Sequence, residues 1–129
     1  MQKRLQITGK FKAKDAEVEA SLLLLAFKED DAYIVYAPFL DLSGYGETEK
    51  EAMKSFELVL KEFFDYTTSK RTLLKELKRL GWKTKGKEHR TLKPPTITAM
   101  AHSNKEFDQI FENKKPTVAY RNVRIPSYA

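Results

Sequence analysis

The sequence predicts an α+β fold in which an antiparallel β-sheet is packed by an amphipathic helix. Three observations point there. β-rich runs with short polar connections fill the first 46 residues, and a strongly capped helix follows them directly. Beyond it, Gly81, Pro94-Pro95 and Pro116 divide the chain into short segments. The resulting order is β-β-β(-β)-α, then a second helix, then a small strand–helix–strand extension.

The first strand rests on Leu5, Ile7 and Phe11, which alternate with polar residues, while Gly9 marks a bulge or a close backbone approach. Residues 14–17 form a polar connection. The run 18–28 contains Leu22, Leu23, Leu24 and Leu25, which fit a helix or a strand equally well. Glu29-Asp30-Asp31 follows as a short acidic turn, so a second strand is expected. Residues 33–37 are aromatic and β-branched, as pleated surfaces prefer. Pro38 ends that third strand because it has no N–H for a ladder. Leu40, Leu42 and Tyr45 continue as a short fourth strand towards Gly44 and Gly46.

The helix over 49–64 is signalled most strongly. Thr48 is an N-cap, and Glu51 completes a capping box. Glu47, Glu49 and Glu51 sit where the helix dipole is positive. Ala52, Phe56, Val59, Leu60 and Phe63 share one face, with Lys50, Lys54, Glu57 and Lys61 opposite. Residues 66–69 offer a break and a second N-cap. Leu73, Leu74, Leu77 and Leu80 then form the stripe of another helix. Gly81 fits a left-handed C′ position, and Trp82 supplies the closing hydrophobic contact.

Residues 83–93 show no apolar period and read as an exposed loop. Residues 96–100 read as a strand or the start of an irregular segment. Asn104 caps a short helix containing Phe107, Ile110 and Phe111, which Asn113 ends. The run 117–125 is β-rich, and its alternation breaks between Tyr120 and Val123, suggesting a bulge or a strand exchanged in a dimer. The organisation is thus a meander-plus-helix core over 1–69, a basic helix and loop over 70–93, and an extension over 94–129. The extension belongs to the same domain or serves as an oligomerisation arm.

An apolar fraction of 41% with eight Phe suffices for one core, and 33% charged residues suit a solvated surface. No run approaches the ~18 apolar residues of a membrane span. The basic start lacks an apolar h-region, so no secretory signal is expected and the default location is cytoplasmic. The absence of Cys removes disulfides and thiolate metal sites. The net charge of +6 is uneven, because residues 70–93 hold ten basic and two acidic residues. That segment supplies the candidate nucleic-acid contacts: Lys70, Arg71, Lys75, Lys78, Arg79, Lys83, Lys85, Lys87 and Arg90. A solvated helix face with a Lys-rich loop explains the same charges without a ligand.

Residues 22–64 carry a more specific pattern. Tyr36, Pro38, Leu40, Gly46, Glu47, Thr48, Glu51 and Ala52 resemble the turn-and-helix motif of the HicB antitoxin family. The motif residues here are Pro38, Gly46, Glu47, Thr48, Glu51 and Ala52. The resemblance implies a β-β-β-α core like a degenerate ribonuclease H module without nuclease carboxylates. It also implies a partner, a HicA-type messenger-RNA interferase that the antitoxin masks. The chain departs from the family pattern in a shorter turn, a basic second helix and loop, and its last strand.

No catalytic, cofactor-binding or metal-binding residues are assigned. His89 and His102 are isolated, and no P-loop, GxSxG or HExxH pattern is present. Asp30, Asp31 and Asp41 are explained by turn preference. The expected function is non-catalytic binding, and the resemblance implies that the partner is a HicA-type toxin or another protein. The alternatives are an RNA- or DNA-binding module using residues 70–93, or an orphan oligomer. A homodimer or higher assembly is expected, since a free β-edge is a pairing template.

Overall fold

The computed structural model describes residues 2–6, 16–85 and 91–127. Its main sheet contains strands Gln2–Gln6 (β1), Ala16–Glu29 (β2), Ala32–Ala37 (β3), Leu42–Gly46 (β4) and, late in the chain, Thr117–Ser127. Helices Glu49–Ser69 (α1) and Leu73–Arg79 (α2) follow β4, and Lys83–Lys85 (β5) pairs with Thr91–Lys93 (β6) in a separate two-stranded sheet. Two short helices, Ile97–Ser103 (α3) and Lys105–Gln109 (α4), run into a π-helical turn at Ile110–Lys114 before the last strand (β7). The strand order is β1-β7-β2-β3-β4, and every pairing is antiparallel except that of β1 with β7. The α+β class and the antiparallel meander under a helix follow the sequence expectation.

The position of β2 explains its leucine run. It lies at the centre of the sheet, and Leu22, Leu23, Leu24 and Leu25 are all buried. A strand covered on both faces reads as a continuous apolar run rather than an alternation. One face of the sheet carries Leu22, Leu24, Val35, Ala119 and Val123, which by register share a side with Gly44 and Gly46. Helix α1 covers this face with Ala52, Phe56, Leu60 and Phe64. The glycines are required there. A Cβ on Gly46 would come within 2.5 Å of the Ala52 amide nitrogen, and one on Gly44 would overlap the backbone of Ala52 and Phe56.

Several local expectations change. The first strand joins β7 rather than β2, and residues 7–15, which include Phe11 and Gly9, lie outside the described residues. Ala16 and Glu17 belong to β2, not to a connection. The final strand is not bulged. It pairs in unbroken register with β2 from Thr117 to Ser127, and its apparent irregularity is Arg121 occupying an inward position between Ala119 and Val123. The C-terminal extension therefore contributes an interior strand of the sheet.

Helix α1 also runs past the expected break. Thr67 is buried in line with Phe64, and its hydroxyl donates to the Phe63 carbonyl at 2.7 Å, so no polar group competes with the helix. The helix ends when Arg71 turns left-handed at φ 58°, letting the Thr72 N–H donate to Thr67 O at 2.8 Å. Within the expected loop, Lys83–Lys85 and Thr91–Lys93 pair as two short antiparallel strands with Leu92 buried, a single apolar side chain too little to create a visible period; residues 86–90 lie outside the described residues. Residues 97–100 are helical, not extended. Thr96 caps α3 by accepting from the Ala99 N–H at 3.0 Å.

Candidate functional site

The motif residues converge on the turn between β3 and β4 and on the start of α1. Pro38 is buried, and Leu40 N–H donates to Ala37 O at 3.2 Å across the turn. Two distant side chains hold it. The Trp82 indole N–H donates to Phe39 O at 2.7 Å, and Asn104 Nδ2 donates to the Tyr36 hydroxyl at 3.0 Å. That hydroxyl in turn donates to Asp41 Oδ1 at 3.1 Å, and burial keeps it protonated far above the ordinary phenol range. At the helix start, the Glu51 N–H donates to Thr48 Oγ1 at 3.1 Å. The Glu51 carboxylate accepts from the Glu47 N–H at 3.1 Å, one residue earlier than the reciprocal bond of a capping box. These residues fix geometry, and each motif contact is internal to the fold.

The basic segment is distributed over three elements. Lys70 and Arg71 lie at the α1 terminus, Lys75, Lys78 and Arg79 on α2, and Lys83 at the start of β5, all exposed. Lys75, Lys78 and Arg79 face away from buried Leu73 and Leu77 and so share one helix surface. Arg79 is already engaged: its Nη2 reaches Glu76 Oε1 at 3.0 Å, and this bond raises its pKa and lowers that of Glu76. Lys85 pairs with Thr91 through the backbone, while Lys87 and Arg90 lie outside the described residues. Trp82 is buried as the closing residue after left-handed Gly81, with its backbone N–H donating to Leu77 O at 2.9 Å, and is not open for base stacking.

The opposite face of the sheet was not anticipated as a site. Helix α4 and the π-helical turn stand over part of it and leave a groove of about 420 Å³. Phe27, Ile34, Tyr36 and Tyr45 form its floor, and Ile110 faces them from the helical wall. Glu29, Glu106 and Lys114 lie on its rim. The sequence signal was the alternate phase of β3 and β4, which puts Ile34, Tyr36, Ser43 and Tyr45 on the side away from α1.

A second unanticipated feature lies under α1. Arg121 is 2% exposed, and its Nη2 donates to Glu57 Oε1 at 2.7 Å. Arg121 Nε and Nη1 and Glu57 Oε2 are buried without hydrogen-bond partners. Burial pushes Arg121 down to about 10 and pushes Glu57 up, in each case against the pull of the partner charge. The helical periodicity places Glu57 on the side opposite the apolar face. It instead occupies the flank turned towards β7.

Among the described residues, no group of three or more His, Asp or Glu side chains is placed to hold a metal ion, and His102 is exposed on α3. No helix among them is long and apolar enough to cross a membrane. Comparison with protein-family models, curated proteins and solved structures yields no match for this chain.

Proposed function

We propose that this protein is a non-catalytic, HicB-like binding protein whose task is to mask a HicA-type toxin. The observation that carries this reading is the β2-β3-β4-α1 unit, a β-β-β-α core in which Pro38, Gly46, Thr48, Glu51 and Ala52 perform the turn, close-packing and capping work that the motif implies. The toxin itself comes from resemblance, and fold alone does not assign a partner. The discriminating experiment is affinity purification of the tagged chain co-expressed with its gene neighbours. A small basic protein retained in stoichiometric amount supports the reading. Retention of no such protein counts against it.

A second reading is favoured by one observation, the shared exposed surface of Lys75, Lys78 and Arg79 with Lys83 nearby in the chain. A polyanion such as RNA or DNA would bind there through phosphate contacts. Its affinity would fall steeply with salt, because each contact releases condensed counterions.

A further inference from the structure

We infer that the groove between the sheet and the C-terminal helical segment seats a cationic stretch of a partner protein. A lysine or arginine side chain would lie over Ile34 and Tyr45 with its charge at the Glu106 and Glu29 carboxylates. This deepens the binding role proposed above and rests on the chain being a protein-binding module.

The floor suits a long aliphatic stem. Phe27 and Tyr36 are buried, Ile34 is half-buried, and Tyr45 remains 60% exposed although it belongs to a strand in the sheet. An exposed aromatic ring beside an apolar trough can carry the stem and attract the charge by a cation–π contact. The rim sets the sign of the ligand. Glu106 forms no ion pair with a described residue, and Glu29 is 4.0 Å from the Lys114 ammonium, the outer limit of pairing. Two carboxylates therefore face one partly engaged ammonium. The Tyr36 hydroxyl is fixed by Asp41 and Asn104 and stays neutral, so it adds no charge to the floor.

The wall is built to hold this shape. The Asn104 side chain caps α4 by accepting from the Phe107 N–H at 3.0 Å while its amide grips Tyr36, tying the wall to the floor. The π-helical turn then places Ile110 inward and ends at left-handed Lys115. Single π turns inside helical segments recur at functional sites. The chain carries a net charge of +6, so a cationic partner is repelled by much of this protein, and an acidic, apolar-floored groove is where one can approach.

The test is a titration of the full isotope-labelled chain, followed by amide NMR shifts, with an acetylated peptide of alternating arginine and leucine. The corresponding glutamate–leucine peptide and oligouridylate serve as comparisons. The expected result is saturable shifts at Ile34, Ser43, Tyr45 and residues 106–114 with the basic peptide alone. Glu106→Gln and Tyr45→Ala should each weaken binding about two- to five-fold, as one rim ion pair or one exposed cation–π contact is lost. Both side chains are exposed, so folding is retained, and Glu106→Gln decides alone should Tyr45→Ala perturb β4. Shifts confined to the acidic α1 N-terminus, away from the groove, overturn the inference. So do equal affinity in both variants and groove shifts with oligouridylate. A groove that responds while no toxin co-purifies sinks the toxin and spares the groove; a retained toxin with a silent groove does the reverse.

Discussion

Replacing both members of the Glu57–Arg121 pair by methionine should stabilise the protein. The pair is a short ion pair, yet three of its polar atoms are buried without partners, and both pKa values move in the direction burial dictates. The one short contact is thus set against three desolvated atoms that no hydrogen bond compensates. Exchanging a buried ion pair for well-packed apolar side chains of similar volume ranges from neutral to a gain of about 1–4 kcal/mol, and the 32% exposure of the Glu57 side chain places this case at the lower end, about 1–2 kcal/mol. A domain of this size should gain roughly 4 °C in Tm per kcal/mol, read by calorimetry and by urea unfolding with the slope unchanged. Glu57→Met alone strands the Arg121 charge without an acceptor and should lose about 3 kcal/mol. Glu57→Gln keeps an oxygen acceptor and should be mild. Because the native state holds the Glu57 proton to a higher pH than the unfolded chain, this group's stability is greatest below its ordinary value of 4.5. It falls as pH rises through the folded pKa. The glutamine variant lacks that fall and should gain on the wild type as pH rises above the ordinary carboxyl value of 4.5. A double methionine variant less stable than the wild type would refute the argument, since the attraction would then outweigh desolvation.

Other substitutions probe the frame and its surface. Gly44→Ala drives a methyl group into the α1 backbone and should cost at least about 1–3 kcal/mol, measured by urea unfolding. Trp82→Phe removes the donor to Phe39 O from a buried site and should lose about 1–3 kcal/mol; a neutral change would show that the bond does not secure the turn. Arg71→Gly relieves a left-handed backbone that L side chains disfavour and should gain roughly 1 kcal/mol while leaving α1 intact by circular dichroism. If the basic surface binds RNA, Lys75→Glu with Lys78→Glu should abolish salt-sensitive retention on an oligouridylate column, and unchanged retention would dismiss that surface.

The elements that were legible in the sequence are those with local chemistry. The Thr48–Glu51 cap, the Gly81–Trp82 helix end, the Asn104 cap and the acidic turn after β2 are all written within a few residues, and each stands in the structure. What remained hidden depends on pairing between distant segments. No local pattern places β7 between β1 and β2, and Arg121 looked like an interruption because its partner Glu57 is 64 positions earlier in the chain. The groove was hidden for the same reason, since its wall and floor come from opposite halves of the sequence. The pairing of Lys83–Lys85 with Thr91–Lys93 was not legible because Leu92 is the one apolar residue in these two strands. The candidate basic site was legible as charge. Its division among α1, α2 and β5, and the engagement of Arg79 by Glu76, were not.

Masking of a HicA-type toxin is tested most directly by co-expressing this protein with its gene neighbours and titrating it into an RNA-cleavage assay of any small basic protein it retains. Cleavage should fall linearly to zero near stoichiometric addition and stay suppressed when Lys75 and Lys78 are reversed in charge. Cleavage that continues unchanged under a molar excess of the folded protein would contradict it.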